Sequence, residues 1–560
     1  MTSDLRGSPV AAFAAAVALA WTAFAPLVVM AATIDPARLS EHIRILASDA
    51  FEGRGPATPG EDKTVAYISG QFEALGLVPA GDDGGWTQAV PLRRFETPGP
   101  IAVSFTVGAK PWPLTELTDI VVHTEVPATH VSVKDAQLVF IGYGVSAPEK
   151  HWDDFKGVDL RGKIAVVLIN DPDFEMDPSD PLYGRFDGKA MTLYGRWTYK
   201  YAEAARRGAL GMLIVHETGP AAYGWNTVKN SNANAQFDIV RPDPAATHPL
   251  IEGWIQRDVA VALFKAAGLD FEAQKARART LGFAPVTLGG VTFSADYAVN
   301  TSTIVSHNLI GKIAGTARPG EAVLFGAHWD HLGVGLPDAR GDTIYNGAVD
   351  NASGVAGVLE LARVFKADPA PARGLYFIAF TAEEKGLLGS EYYAAHPVTP
   401  LATTVALLNL DVMNVNGPTR DLSTRGKGEA DLDGLVAGFT VAQGRRYEHD
   451  AHLEEGGFYR ADHFSLAKAG VPALTLTAGL DLVNGGVAAG EAAHRDYVTH
   501  RYHQPADEWR ADWDLSGAAA DLEVYHALGG YLANSDVWPG WPADSAFKAI
   551  RDATAAERQP

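Results

Sequence analysis

The sequence contains no cysteine, which excludes disulfide frameworks, thiol catalysis and cysteine-ligated zinc. Basic residues are also few, with 46 Lys and Arg against 67 Asp and Glu and a formal net charge of −21, and they form no cluster. Because nucleic-acid affinity depends on clustered Lys and Arg, we do not expect nucleic acid as a partner. Any metal chemistry in this chain of 560 residues must therefore use His, Asp and Glu as ligands.

Long apolar runs are absent beyond the first 32 residues. Residues 10–32 form one such run, which follows Arg6 and ends in the small residues Ala31 and Ala32. This pattern is typical of an export signal that is cleaved near its end. The alternative is an uncleaved membrane anchor, since about 20 apolar residues can span a bilayer. We expect a signal peptide over residues 1–32, a periplasmic or secreted protein, and no stable membrane span after cleavage.

Three stretches of the remaining chain differ in their hydrophobic pattern. Residues 33–117 open with two amphipathic helix patterns, residues 118–293 carry short β-rich runs, and strand runs alternate with helices from about 303 to 535. The alternation predicts an α/β fold with a mixed central sheet and helices on both faces. We interpret residues 33–117 and 294–540 as one domain, residues 118–293 as a β-rich domain inserted into it, and residues 541–560 as a C-terminal tail.

Histidine and acidic residues follow three predicted strands, over residues 322–326, 375–380 and 405–410. In open α/β sheets, functional groups collect just beyond the carboxyl ends of the strands. A further acidic residue opens the segment before a predicted helix that runs to about residue 365. The residues at this edge are His328, Asp350, Glu383, Glu384 and Asp411.

This set of side chains is suited to a dinuclear metal site. Such a site needs His and carboxylate ligands on each ion and one carboxylate that bridges both ions, which lie about 3.5–4 Å apart. Glu383 and Glu384 are adjacent, so on extended backbone their side chains point to opposite sides. One of them can bind metal while the other faces a water molecule as general base, which is the division that metal-assisted hydrolysis requires.

Six motifs in this order make the chain recognisable. They are Gly326–Asp330, Gly347–Gly354, Phe380–Ser390, Asn409–Met413, Ala461–Phe464 and Tyr502–Asp507. Through them the chain resembles the di-zinc aminopeptidases, peptidase family twenty-eight of the metallopeptidases (clan MH). The resemblance implies a zinc-peptidase/phosphorylase-like fold, and the inserted segment resembles a protease-associated (PA) domain.

The resemblance implies two Zn²⁺ ions per chain, although cobalt or manganese could occupy similar ligands. Asp350 is expected to bridge the ions. His328 and Asp411 are expected to complete one zinc site, and Glu384 and His503 the other. Glu383 takes the position of the general base.

Further residues have implied supporting roles. Asp330 is expected to orient a ligand, which raises ligand basicity. Tyr459 is the nearest candidate for a tyrosine that stabilises the oxyanion, although an ungapped match puts Phe458 at that position. Asp462 and Asp507 are expected to support the site. No family position requires the other nearby histidines, which we interpret as structural: His331, His452, His463, His494 and His500.

The hypothesis with the most support is an exported metallo-exopeptidase. It would act as an aminopeptidase on peptide substrates, through a metal-activated water with Glu383 as general base. The alternatives are a carboxypeptidase, which would need Arg or Lys in the cleft, then a glutaminyl cyclase, then a non-catalytic binding protein. Arg420, Arg425 and Arg460 are candidates for the cleft whose positions the motifs do not define. Side-chain preference and oligomeric state stay open.

Overall fold

The computed structural model describes residues 32–558. The predicted signal peptide therefore lies, except for Ala32, outside the described residues. Among the helices of residues 32–558, none combines the length and apolar character that crossing a membrane requires.

The protein has a mixed α/β fold, as the alternating pattern predicts, with strands grouped mainly into a ten-stranded and an eight-stranded sheet. In chain order the strands are β1 Val78–Pro79, β2 Thr87–Glu96, β3 Ala102–Val107, β4 Lys110–Leu114, β5 Ile120–His123, β6 His130–Phe140, β7 Ser146–Ala147, β8 Trp152–Asp153, β9 Lys163–Leu168, β10 Gly211–His216, β11 Gln236–Ile239, β12 Ile251–Gln256, β13 Val286–Ala298, β14 Asn300–Ile313, β15 Arg318–His328, β16 Gly333–Val334, β17 Ile344–Tyr345, β18 Arg373–Phe380, β19 Thr404–Asn409, β20 Asp421–Thr424, β21 Arg446–Tyr447 and β22 Ala473–Ala478.

Helices connect these strands and flank both sheets. The α-helices are Pro36–Leu46, Pro59–Ala74, Trp197–Arg206, Thr218–Ala221, Trp225–Asn232, Arg257–Ala266, Phe271–Ala278, Ser353–Ala367, Leu388–Ala395, Leu432–Ala442, His463–Lys468, Gly486–His500, Ser516–Asn534 and Lys548–Ala553. The first two correspond to the two amphipathic patterns, and both begin with a proline at the first turn, where its missing N–H costs no hydrogen bond.

The ten-stranded sheet has the order β11-β2-β14-β18-β15-β19-β22-β20-β21, with β1 paired to β14. Its central strands β18, β15, β19 and β22 are parallel. The chain passes from β15 through helix Ser353–Ala367 to β18 on one side, whereas β19 lies on the other side of β15. The strand order thus changes direction at β15, which is where ligand-binding crevices form in such sheets.

Helices cover both faces of this sheet. Consecutive residues of a buried strand point to opposite sides, so each strand presents apolar side chains on both faces. Val323 and Phe325 of β15 pack in the core that contains helices Ser353–Ala367 and Ser516–Asn534. Leu324 packs on the other face, against side chains of the helices Leu388–Ala395 and His463–Lys468. The predicted fold class, helices on both faces of a mixed sheet, is confirmed.

The eight-stranded sheet has the order β4-β3-β13-β6-β9-β10-β12-β5 and a separate hydrophobic core. Its members include β3 and β4, which precede the expected boundary after residue 117, and all of β13, which crosses the expected boundary at 294. By strand pairing, the chain leaves the large sheet after β2 and returns with β14. The boundaries differ from the expectation because strand partners are chosen over long sequence distances, which a local pattern does not encode.

Two further segments contact the ten-stranded sheet. Strand β11, within the inserted stretch, pairs with β2 at the edge of the ten-stranded sheet. The C-terminal tail packs on the same domain, because Arg551 is buried and donates to the carbonyl of Thr404 at 3.0 Å. The inserted stretch and the tail therefore both pack against the ten-stranded sheet.

We predict that Phe325→Ala destabilises the domain of the ten-stranded sheet by about 3–5 kcal/mol, the usual cost of emptying a buried aromatic site. Phe325 is fully buried, and its ring lies 5.4 Å from that of Phe377 and 5.2 Å from that of Phe365. Denaturant unfolding measures the loss. Val441→Ala is the control, because Val441 is 65% exposed and its truncation should cost less than about 0.5 kcal/mol. Equal effects of the two changes would contradict this assignment of the core.

Candidate metal centre

The side chains predicted at the sheet edge do meet. His328 ends β15, and its Nε2 lies 3.2 Å from Oδ1 of Asp350 and 3.4 Å from Oδ1 of Asp411. Oε2 of Glu383 lies 3.8 Å from the same nitrogen. Asp411 directly follows β19, the parallel neighbour of β15, so the two strand ends bring these groups together.

The second half of the cluster is formed by His503. Its Nε2 lies 3.0 Å from Oε2 of Glu384 and 3.4 Å from Oδ2 of Asp350. The two oxygens of Asp350 therefore face two different histidines. The side chains of the six residues are at most 10% exposed. This arrangement brings together His328, Asp350, Glu383, Glu384, Asp411 and His503.

The buried carboxylates of the cluster need additional positive charge to compensate them. Burial raises the pKa of Glu383 well above its ordinary value, against the opposing charge of His328. Burial also acts to raise the pKa of Asp350, but hydrogen bonds to His328 and His503 outweigh it and hold that pKa well below the ordinary value. Among the described residues, Oδ1 of Asp411 is buried without a hydrogen-bond partner. Clustered carboxylates with an orphaned oxygen and two imidazoles fit a pair of divalent cations.

Asp330 holds the backbone of the two glutamates. Its carboxylate accepts the backbone N–H of Glu383 at 3.1 Å and that of Glu384 at 3.4 Å. Nδ1 of His328 lies 3.1 Å from the carbonyl of Asp330 and 3.8 Å from its carboxylate. Burial raises the pKa of Asp330 to about 7. Asp330 is therefore positioned to orient both His328 and the backbone of the two glutamates.

Asp507 holds the segment of Asp350 in the same way. Its carboxylate accepts the backbone N–H of Val349 at 3.1 Å and that of Asp350 at 3.0 Å. Its own carbonyl accepts the N–H of Ala348 at 2.9 Å. Three consecutive N–H groups before helix Ser353–Ala367 thus bind one aspartate from the segment that also carries His503.

Arg54 connects the loops that carry His328 and Asp350. Its guanidinium is fully buried and donates to the carbonyls of Trp329 at 2.8 Å and Gly347 at 2.8 Å. Burial lowers the pKa of Arg54 to about 10, so the group is charged at neutral pH. Gly347 itself tolerates no side chain, since a Cβ would lie 2.2 Å from the carbonyl oxygen of Asp350.

Backbone in the left-handed region occurs at three non-glycine positions of the cluster. Ala382, before Glu383, has a φ of 53°, Val412, after Asp411, has 57°, and His503 has 54°. Each such position costs on the order of 1–2 kcal/mol for an L-residue with a Cβ. The surrounding contacts hold these conformations, and strained positions of this kind concentrate at functional sites.

Two contributions to the cluster were missed from the sequence. Nδ1 of His331, expected to be structural, lies 2.6 Å from Oε1 of Glu384. The hydroxyl of Ser231 lies 2.7 Å from Nδ1 of His503, and Asn230 donates to the carbonyl of His503 at 2.9 Å. Ser231 belongs to helix Trp225–Asn232 of the inserted stretch. The position of His331, directly after the motif Gly326–Asp330, was the one available signal; Ser231 offered none.

Two predicted residues lie at the margin of the cluster. Tyr459 lines the cavity and packs against the rings of Phe458 and Phe464, and burial raises its pKa, with a smaller contribution from the charge of Glu429. Tyr502 lies closer, with its ring 3.9 Å from that of His503. The carboxylate of Asp462 is buried, and its pKa is raised to about 7 by burial. Of the other histidines, His463 lies 2.8 Å from the hydroxyl of Thr475, and His500 pairs with Asp496 at the surface.

A cavity of about 800 Å³ opens over the cluster. Its walls come from both sheets, so the inserted stretch covers the site. Five arginines line it: Arg196 and Arg241 from the inserted stretch, and Arg425, Arg460 and Arg501 from the domain of the ten-stranded sheet. The Nε atoms of four of them, Arg196, Arg425, Arg460 and Arg501, are buried and have no hydrogen-bond partner among residues 32–558. Arg420 does not line the cavity and instead donates to Asp481 at 3.0 Å.

Comparisons with known proteins agree with this geometry. Residues 308–527 match the model of peptidase family M28, and the chain thus contains a peptidase family M28 domain. A "probable zinc metalloprotease" of Pyrenophora tritici-repentis is 38% identical over 128 residues, which are 23% of this chain and 27% of the relative. "Aminopeptidase YwaD" of Bacillus subtilis is 39% identical over 92 residues, 16% of this chain and 18% of the relative.

A solved structure extends the likeness beyond that domain. The "Aminopeptidase from Aneurinibacillus sp. strain AM-1" is 21% identical and has a TM-score of 0.51, with 92% of this chain and 96% of that chain covered. At this level of identity the comparison shows a shared fold. The matched segments span about a quarter of the length of the first curated relatives.

We predict that Ser231→Ala weakens zinc binding about tenfold, because a histidine ligand that loses the partner of its other ring nitrogen loses orientation and basicity. Chelator competition on the purified protein measures the affinity. Ser231→Thr keeps a hydroxyl and serves as the control that retains it. Unchanged zinc affinity in Ser231→Ala would contradict a positioning role for this serine.

Proposed function

We propose that the protein is a dinuclear zinc metallo-exopeptidase. The observation that carries the proposal is the position of Asp350, whose two carboxylate oxygens face His328 and His503 at 3.2 and 3.4 Å. A carboxylate shared between two histidine-containing ligand sets is the arrangement that a bridging ligand of a two-metal site requires. The family M28 domain at residues 308–527 supports the same conclusion.

The residues divide into ligands and a base. His328 and Asp411 would hold one zinc, Glu384 and His503 the other, and Asp350 both. When bound, zinc supplies Lewis acidity, which lowers the pKa of water and polarises a carbonyl group. Glu383 is the one carboxylate of these six residues without a ligand role in this assignment, and it lines the cavity. In this role it removes a proton from the attacking water and returns it to the leaving amine.

Aminopeptidase activity is the first candidate for the substrate class. A curated relative and the solved structure of the same fold are both named as aminopeptidases. Residues of the inserted stretch form part of the cavity wall, which favours attack at a chain end over attack within a long peptide. We further propose that the protein acts after export, on the strength of residues 10–32.

We predict that Glu383→Gln lowers kcat by about 10²–10⁴-fold and leaves the zinc content unchanged, because the substitution removes the proton acceptor and keeps the ligands. Hydrolysis of aminoacyl-anilides by the mature protein, before and after chelation, measures the effect alongside elemental analysis of zinc. N-acetylated anilides are the substrate control and should not be cleaved.

Other results would change the assignment. Full activity in Glu383→Gln would remove this residue from the mechanism. If no substrate turns over while two zinc ions are bound, the reading as a glutaminyl cyclase or a non-catalytic binding protein gains support instead.

A second candidate, carboxypeptidase activity, is favoured by the arginines in the cavity. The Nε atoms of Arg196, Arg425 and Arg460 lie at the cavity without a hydrogen-bond partner among residues 32–558. Arg425 has the charge of Asp411 beside it, whereas Arg196 makes no ion pair among these residues. A buried charge of that kind is costly unless it has a counter-ion. A substrate carboxylate would provide that counter-ion through charge-assisted hydrogen bonds.

For this second candidate we predict that Arg196→Met raises KM about 10-fold or more for peptides with a free C-terminal carboxylate and has little effect on their C-terminal amides. A hydrogen bond to a charged group contributes about 1.5–3 kcal/mol, which corresponds to that range. Steady-state kinetics on matched acid and amide peptides measures the difference. Arg420→Met is the control, since Arg420 does not line the cavity and pairs with Asp481. Equal effects on acid and amide would leave aminopeptidase activity as the remaining assignment.

A further inference from the structure

A second group of histidines and carboxylates lies on the wall of the cavity that the inserted stretch contributes. His123 ends β5 and is the cross-strand partner of Glu252 in β12. Glu125 follows His123 by two residues, and His248 lies shortly before β12. The group is separate from the centre at Asp350, and its four members line the same cavity.

The four side chains face one another in a ring. Nε2 of His123 lies 3.4 Å from Glu252 and 3.6 Å from Glu125. Nδ1 of His248 lies 2.9 Å from Glu252 and 3.3 Å from Glu125. Each carboxylate thus faces both histidines. The four donor groups are equivalent to the His and carboxylate ligands of known zinc sites.

The spacing matches tetrahedral coordination. With metal–ligand bonds of about 2.0–2.2 Å, neighbouring ligands of a tetrahedral zinc lie roughly 3.4 Å apart. The ring spans 2.9–3.6 Å, and the corresponding distances around Asp350 span 3.2–3.4 Å. The two clusters therefore share the ligand spacing that a metal ion would impose.

Glu125 is buried between the two histidines. It is only 8% exposed, and its carboxylate oxygens lie 3.3 Å from Nδ1 of His248 and 3.6 Å from Nε2 of His123. Its carboxylate points into the ring. Although burial opposes it, the charges of Glu125 and Glu252 raise the pKa of His248 to about 11, so without a metal this imidazole is protonated and compensates one carboxylate. A divalent cation would displace that proton and compensate the two carboxylates itself.

Asp238 completes the outer part of this arrangement. Its Oδ2 lies 3.5 Å from Nε2 of His248, the ring nitrogen turned away from the two glutamates. Arg241 in turn donates to Asp238 at 2.9 Å and to Glu391 at 2.9 Å. A carboxylate on the far nitrogen of a histidine fixes the tautomer that a metal ligand needs. Lys385, the other nearby cation, donates to the carbonyl of Ser231.

We propose that His123, Glu125, His248 and Glu252 bind a further divalent transition-metal ion, with zinc as the best match to two imidazoles and two carboxylates. Strand β5 is an edge of the eight-stranded sheet, and Asp238 lies in β11, an edge strand of the ten-stranded sheet. The ion would link the edge strands β5 and β11 beside the cavity. The site is independent of the proposed peptidase activity and is not a part of the centre at Asp350.

The test is the zinc content of the purified full-length mature protein after it is loaded with Zn²⁺ alone and dialysed. Glu125→Gln keeps the size of the side chain and removes the charge. We expect it to lose about one zinc equivalent per chain relative to the unchanged protein. Glu116→Gln, a substitution on the segment before β5 and outside the ring, is the matched control and should lose none.

Anomalous diffraction at the zinc edge provides a second measurement that needs no variant. The expected result is a peak between His123, Glu125, His248 and Glu252, in addition to the signal around Asp350. Equal zinc content in Glu125→Gln and the unchanged protein would overturn the proposal, and so would zinc signal confined to the Asp350 centre. Neither measurement depends on turnover, so an inactive protein with zinc in the ring would still support the site.

Discussion

The buried carboxylate of Asp350 faces two histidines that lie far apart in the sequence of the peptidase domain. The rest of the structure depends on holding this carboxylate between them. His328 arrives on β15, and His503 arrives on the segment after helix Gly486–His500. Burying several carboxylates together is unfavourable unless positive charge compensates them. The protein therefore fixes the position of Asp350 from three sides: Asp507 accepts its N–H, Arg54 donates to the carbonyl of Gly347 three residues before it, and the histidines face its oxygens.

The inserted stretch takes a direct part in this arrangement. Ser231 contacts the far ring nitrogen of His503, and Arg196 lines the cavity above the cluster. Its strand β11 is incorporated into the large sheet, so the two sheets are joined through backbone pairing as well as through side chains. A segment that the sequence presents as a separate domain thus completes both the ligand support and the walls of the cavity.

The fold class and the cluster around Asp350 were predictable because both follow from local pattern. Parallel strands end at one edge, so His328, Glu384 and Asp411 had to lie near one another once their strands were recognised. Ser231 and the arginine Arg196 were not predictable, since they reach the site through tertiary packing between segments far apart in sequence. The pairing of β3 and β4 within the eight-stranded sheet was not predictable for the same reason.

The proposed metal centre depends most on Asp350 being shared between two metal ions. Elemental analysis of Asp350→Asn, compared with the unchanged protein after equal zinc loading and dialysis, tests it most directly. Since both ligand sets lose their common member, the account predicts the loss of about two zinc equivalents per chain with the fold retained by circular dichroism. Loss of a single equivalent, or none, would contradict the shared-carboxylate arrangement.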